Sequence, residues 1–174
     1  MTKFDKIICY INPRNLNYNF FRGGFFIKYE ITDETVALIP IDSSTTRIIE
    51  LEKEYIISQP AFNIMEENCE YYGSTYDGRV KSAKKILNFA YKIPVLVEET
   101  EKIIFFPTKS ITDNTCCWIN SNLVTERKKS GKNIKVQFKN GIEEEFNISK
   151  LSFENQLLRA NMLNSMLTKR INKK

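Results

Sequence analysis

The chain has 174 residues, with 26 Lys and Arg against 21 Asp and Glu, a net charge of +5 and no histidine. That length allows one domain with a real core or two small packed units, and the missing imidazole removes His-based triads, His-ligated zinc and the commonest general acid and base. Cys9, Cys69, Cys116 and Cys117 form no C-x-x-C pair and read as reduced thiols, so no metal, cofactor or catalytic centre is expected. The apolar run Ile7 to Ile11 after Lys3 and Lys6 is ended by Asn12, Pro13 and Arg14, too soon for a signal peptide. No stretch approaches the length of a membrane span, and a cytoplasmic protein is expected.

Residues 1–24 are rich in Asn and aromatics without a period and end at Gly23-Gly24. They read as an extension before a single domain spanning 25–174. Phe25 to Ile31 and Val36 to Ile41 are expected to pair as a hairpin, followed by strands at Thr46 to Leu51 and Glu54 to Ile57. Pro60 falls in the first turn of a helix whose apolar positions Ala61, Met65, Cys69 and Tyr72 follow helical spacing, and Gly73 ends it. A second short helix begins at Ser74 or Thr75 and runs to about Lys85. Strands are expected at Ile86 to Phe89, Pro94 to Val97, Lys102 to Phe106 and Trp118 to Thr125. Ile134, Val136 and Phe138 alternate with polar residues before the turn dipeptide Asn140-Gly141, and Ile142, Phe146 and Ile148 resume after it, which predicts a hairpin. Ser152 is placed to cap a last helix with the apolar stripe Phe153, Leu157, Ala160, Leu163, Leu167 and Ile171. The fold class is α+β: an antiparallel, β-rich chain with a central helical segment and a C-terminal helix.

Charge is segregated along the chain into three acid-free stretches, the last being everything after Glu154. The stretch Arg79 to Ile93 contains no acid and carries Arg79, Lys81, Lys84, Lys85 and Lys92; Arg127 to Gly141 contains none and carries Arg127, Lys128, Lys129, Lys132, Lys135 and Lys139. Such stretches are what a phosphate-binding face requires, although a basic run is also an ordinary solvated loop. Gly73 to Val80 (GSTYDGRV) has the two glycines of a P-loop at the right separation, but Arg79 stands where the phosphate-binding Lys belongs and Val80 where a Mg²⁺-binding hydroxyl belongs. A helix rather than a strand precedes it, so nucleotide binding is not expected. The same segment reads as a tight turn throwing Tyr76 and Arg79 outward, the arginine suited to a groove; equally, Tyr76 packs in the core and Arg79 pairs with an acid such as Asp77. Trp118 reads as core, and Glu143 and Glu145 as a solvated face.

Several strings in order resemble the ComK family of competence transcription factors: Thr35 to Pro40 (TVALIP), Cys69 to Arg79 (CEYYGSTYDGR), the Pro94 region, Phe105 to Ser110 (FFPTKS), Trp118-Ile119, the FKNG turn, and Leu151 to Arg159 (LSFENQLLR). The resemblance covers roughly Tyr29 to Arg170. It implies a non-enzymatic transcriptional activator of DNA-uptake and recombination genes that binds AT-rich, double-stranded promoter DNA largely through the minor groove. It also implies a homodimer or higher homo-oligomer on DNA, acting beside RNA polymerase. Arg in a narrow A-tract groove reads shape with few base-specific bonds. The expected DNA-facing residues are Tyr76, Arg79, Lys81, Lys84 and Lys85, with Arg127, Lys128, Lys129 and Lys132. The aromatic, Leu, Tyr, Pro segment through which an adaptor captures family members for proteolysis is not found in this sequence, so control by that route is not expected. The other reading is a protein-interaction module or competence regulator whose basic stretches meet acidic protein surfaces.

Overall fold

The computed structural model describes residues 29–171. Six strands form one antiparallel sheet: β1 (Thr35–Pro40), β2 (Thr46–Glu50), β3 (Glu54–Ile57), β4 (Val95–Glu98), β5 (Ile103–Pro107) and β6 (Trp118–Asn120), in the order β3-β2-β1-β6-β5-β4. A second antiparallel sheet has three strands in sequence order, β7 (Val124–Ser130), β8 (Asn133–Phe138) and β9 (Glu143–Phe146). Three helices complete the fold: α1 (Ala61–Tyr71), α2 (Tyr76–Leu87) and α3 (Lys150–Ile171). This is the expected mixed α+β class, with the paired helices central and the third C-terminal.

Register assigns the faces of the large sheet. Leu38 lies opposite both Ile48 and Trp118, and Ile48 opposite Tyr55, so these four share a face. They pack with Phe105, Val95 and Val97 against Ile64, Met65 and Cys69 of α1 and Tyr76 of α2. Ala37 lies opposite Ile49 and Ile119, and Ile119 opposite Phe106. These turn to the other face, under Phe153, Leu157, Ala160 and Leu163 of α3 and Ile134, Val136 and Phe138 of the small sheet. The central strands are buried on both faces, which is why β1 and β5 read as continuous apolar runs rather than alternating ones. Val80 of α2 packs against both layers, so α2 wraps the β4 edge and joins them. An edge otherwise open to strand addition is thereby covered.

Local chemistry explains the boundaries. Gly73 adopts φ +83°, Ser74 donates its backbone N–H to the Cys69 carbonyl at 3.0 Å, and Gly73 to Glu70 at 2.9 Å, closing α1 with a left-handed residue that a Cβ would strain. The Thr75 hydroxyl then accepts the Gly78 N–H at 3.0 Å and caps α2. Gly73 therefore ends one helix and Gly78 sits in the first turn of the next, so a helix precedes the segment where a P-loop needs a strand.

Four expectations are corrected. Tyr29 to Ile31 form no strand; the Tyr29 carbonyl and Ile31 N–H are held by the buried Asn68 amide, and Phe25 to Lys28 lie outside the described residues. Ile86 and Leu87 are the last turn of α2 rather than a strand, ended by Asn88 at φ 57°. Trp118 to Thr125 is broken by a 3₁₀ turn at Ser121–Leu123, started by the Asn120 side chain accepting from Asn122, which sends β7 into the second sheet. The helix cap is Ser149, whose hydroxyl accepts the Ser152 N–H at 3.2 Å. Trp118 is buried, and β8 and β9 form the expected hairpin with Gly141 at φ 79° in its turn.

Candidate nucleic-acid interface

The basic stretches lie on two elements that both pack against α3: α2 on one side, β7 and β8 on another. On α2 the buried positions Tyr76, Arg79, Ala83 and Leu87 define the inward face. A turn of 100° per residue puts Lys81 and Lys85 on the opposite side and Lys84 on the flank beside them. All three are exposed, and among the described residues none makes a side-chain hydrogen bond or ion pair. Lys84 and Lys85 also suit the negative end of the helix dipole.

On β7 the strand pleat divides the cations. Lys128 lies opposite Lys135, on the outer face of the small sheet, where acids answer it: Lys128 pairs with Glu126 at 3.1 Å and Lys135 with Glu143. The hydrogen bond and attraction between Lys135 and Glu143 raise the lysine and lower the carboxyl from their ordinary pKa values. Arg127 and Lys129 lie opposite Val136 and Ile134, on the face toward α3. Because β7 is an edge strand they overhang the core and stay exposed, without an ion pair among the described residues. Lys132 follows at the β7–β8 turn, beside Gly131 at φ 59°, and is also exposed.

Tyr76 and Arg79 do not point outward, and that expectation is corrected. Tyr76 is 7% exposed; its ring meets Phe62 at 5.0 Å and Trp118 at 6.0 Å edge-on, and burial pushes its hydroxyl well above the ordinary tyrosine range. Arg79 is 8% exposed, pairs with Glu99 in the β4–β5 turn rather than with Asp77, and donates to the Tyr72 carbonyl at 2.9 Å. Tyr76 and Arg79, at the head of the basic run, thus lie on one inward-facing turn of α2. The helix starts at Tyr76, so i and i+3 share its buried side.

The sequence singles out neither Tyr91 nor Arg159, which the structure brings together. The Arg159 guanidinium sits 4.5 Å from the centroid of the Phe89 ring and donates to the Tyr91 carbonyl at 2.8 Å. The available signal was an aromatic pair, Phe89 and Tyr91, inside an acid-free run. Among the described residues no cluster of Cys, Asp and Glu could hold a metal ion, and no helix is long and apolar enough to cross a membrane.

Comparison with known proteins gives one consistent result. The family described as "ComK protein" matches residues 26–172. A relative named "Competence transcription factor" from Bacillus subtilis (strain 168) is 32% identical over 148 residues, covering 83% of this chain and 77% of the relative. No solved structure matches.

Proposed function

Since the chain belongs to the ComK family, we propose that it is a cytoplasmic, non-enzymatic transcriptional activator of competence genes that binds AT-rich promoter DNA through the minor groove. The observation that carries this reading is a pair of exposed cation groups, Lys81, Lys84 and Lys85 on α2 and Arg127, Lys129 and Lys132 on the β7–β8 arm. All six are exposed and without ion pairs among the described residues, and their two elements flank one helix. Unpaired cations release counterions when they meet phosphates, which paired ones do less well. Lys128, already answered by Glu126, ranks below its neighbours. Arg79 and Tyr76 act as supports: Arg79 fastens the start of α2 to the β4–β5 turn, and Tyr76 packs that end onto the sheet.

Self-association fits the outer side of α3, where Leu151 and Leu158 are 69% and 58% exposed and Met166 is also exposed. Pairing through this face is expected to be promoted when DNA brings copies together.

The test is fluorescence anisotropy of an A-tract duplex and a G·C-rich duplex of equal length at several salt concentrations. Tighter A-tract binding, with log K falling by roughly 0.9 per phosphate contact against log salt, is expected. Equal weak binding to both leaves a generic basic protein, and no binding to either moves the reading to a protein-interaction module.

A further inference from the structure

The loop joining α2 to β4 is held in one shape at several points. Asn88, φ 57°, is the left-handed cap of α2, and Lys92 adopts left-handed backbone at φ 48°, which a residue with a long side chain rarely does. Phe89 packs against the α3-side core, Ile93 and Pro94 are buried, and Arg159 covers the Phe89 ring while binding the Tyr91 carbonyl. All this fixing leaves the Tyr91 side chain 82% exposed, the most exposed large apolar-bodied residue among those described. Backbone held in sparsely populated regions by its surroundings collects at ligand contacts. The ring stands in the acid-free run, next in sequence to Lys92 and a few residues past Lys84 and Lys85 at the end of α2.

We propose that Tyr91 is a DNA-contacting residue, its ring laid into the groove against sugar and base edges, and that Arg159 is the positioning residue that aims it. The inference rests on the DNA-binding reading and deepens it. An aromatic ring is the kind of wedge that groove-binding proteins press between or against base steps, and its contribution does not depend on counterion release. The lysines beside it take phosphates and fix where the ring enters. Arg159 acts through Phe89 and the Tyr91 carbonyl: its planar guanidinium both stacks and donates, which a lysine ammonium cannot do together.

The experiment compares the full chain with Tyr91→Ala, Tyr91→Phe, Arg159→Lys and Lys84→Ala on the A-tract duplex over a salt series. Tyr91→Ala is expected to weaken binding roughly tenfold, as loss of one aromatic contact does, with the salt slope unchanged, whereas Tyr91→Phe retains most of the affinity. Arg159→Lys is expected to weaken binding with its slope unchanged, and the double variant Tyr91→Ala with Arg159→Lys to be no weaker than Tyr91→Ala alone. Lys84→Ala should instead flatten the slope. If the parent binds and Tyr91→Ala binds as tightly, the inference is wrong while DNA binding stands. A flattened slope for Arg159→Lys would make that residue a phosphate contact and overturn its positioning role. If the parent binds no duplex, the reading beneath fails and the inference with it. Tyr91 is exposed, so its variants keep the fold even if an Arg159 variant does not.

Discussion

Arg79 carries a full charge into a site where Glu99 and the Tyr72 carbonyl are what meets it, and its Nε finds no partner among the described residues. Glu99 is 71% exposed, so the two halves of this pair differ in what their loss leaves behind. Without Arg79 the carboxylate simply hydrates; without Glu99 a guanidinium stays buried and uncompensated. Glu99→Ala is therefore expected to cost about 2 kcal/mol, below the ~3–5 of a wholly buried pair because its partner is exposed. Arg79→Met, which keeps the volume, should cost less. Urea melts would measure both, and the reverse order would show that packing rather than charge governs the site. The thiols give a second residue-scale prediction. Burial pushes Cys69 and Cys117 up to about 12 and raises Cys116 as well. A thiol whose folded pKa exceeds its unfolded value favours the folded state below the unfolded value, and that advantage is lost as pH climbs from about 9 toward 12. Native protein at about pH 8 should resist iodoacetamide at all three, because the thiolate is the nucleophile. Peptide mass spectrometry showing Cys117 alkylated as fast as in urea would contradict this.

At the scale of elements, the Ser149 cap makes a sharp prediction: Ser149→Ala should lose about 1 kcal/mol, whereas Ser152→Ala, whose hydroxyl merely meets that of Ser149 at 2.9 Å, should lose less. Guanidinium melts distinguish them, and equal losses would return the cap to Ser152. The displacement by three residues shows where sequence reading succeeds and where it stops. Periodicity identified the α3 stripe Phe153, Leu157, Ala160 and Leu163, the α1 positions Ala61, Met65 and Cys69, and the β8 alternation, because each reports one buried face. It could not tell strand from helix at Ile86 to Phe89, where a short apolar run follows either pattern. Nor could it see the 3₁₀ turn at Ser121–Leu123, which depends on one Asn side chain. The candidate interface was half legible. Acid-free stretches located the lysines, but inward or outward direction is decided by which face of α2 the sheet covers and by where the β7 edge ends. That is why the sequence leaves Arg79 open between a groove residue and an acid-paired one, and the fold makes it a buried clamp on Glu99. The same pleat argument orders the arm: Arg127→Ala and Lys129→Ala should each flatten the salt slope for duplex binding by roughly 0.9, and Lys128→Ala by less. A Lys128→Ala effect equal to the other two would mean that the Glu126 pair opens on DNA.

Across the whole molecule, the large sheet separates two hydrophobic layers whose links are the sheet itself and α2, where Val80 touches both. Two layers sharing one sheet cannot unfold separately without exposing the face of β1, β5 and β6 that the other still needs covered. The described residues are accordingly expected to unfold as one domain; the division at Gly24 lies outside them, and the sequence alone sets residues 1–24 apart. The sole tryptophan, Trp118, lies in the layer beneath α1 and α2, while α3 and the small sheet lie on the far side. Its fluorescence therefore reports one layer and far-UV circular dichroism reports both. In a urea titration the two signals should trace a single coincident transition, and a chain beginning at residue 25 should have the same midpoint. If fluorescence and dichroism separate, the layers are independent units and α2 is a hinge between them, so cationic surfaces on α2 and β7 could not be held to one DNA site by α3. If the shortened chain melts at lower urea, the first 24 residues pack against the domain and belong to its core.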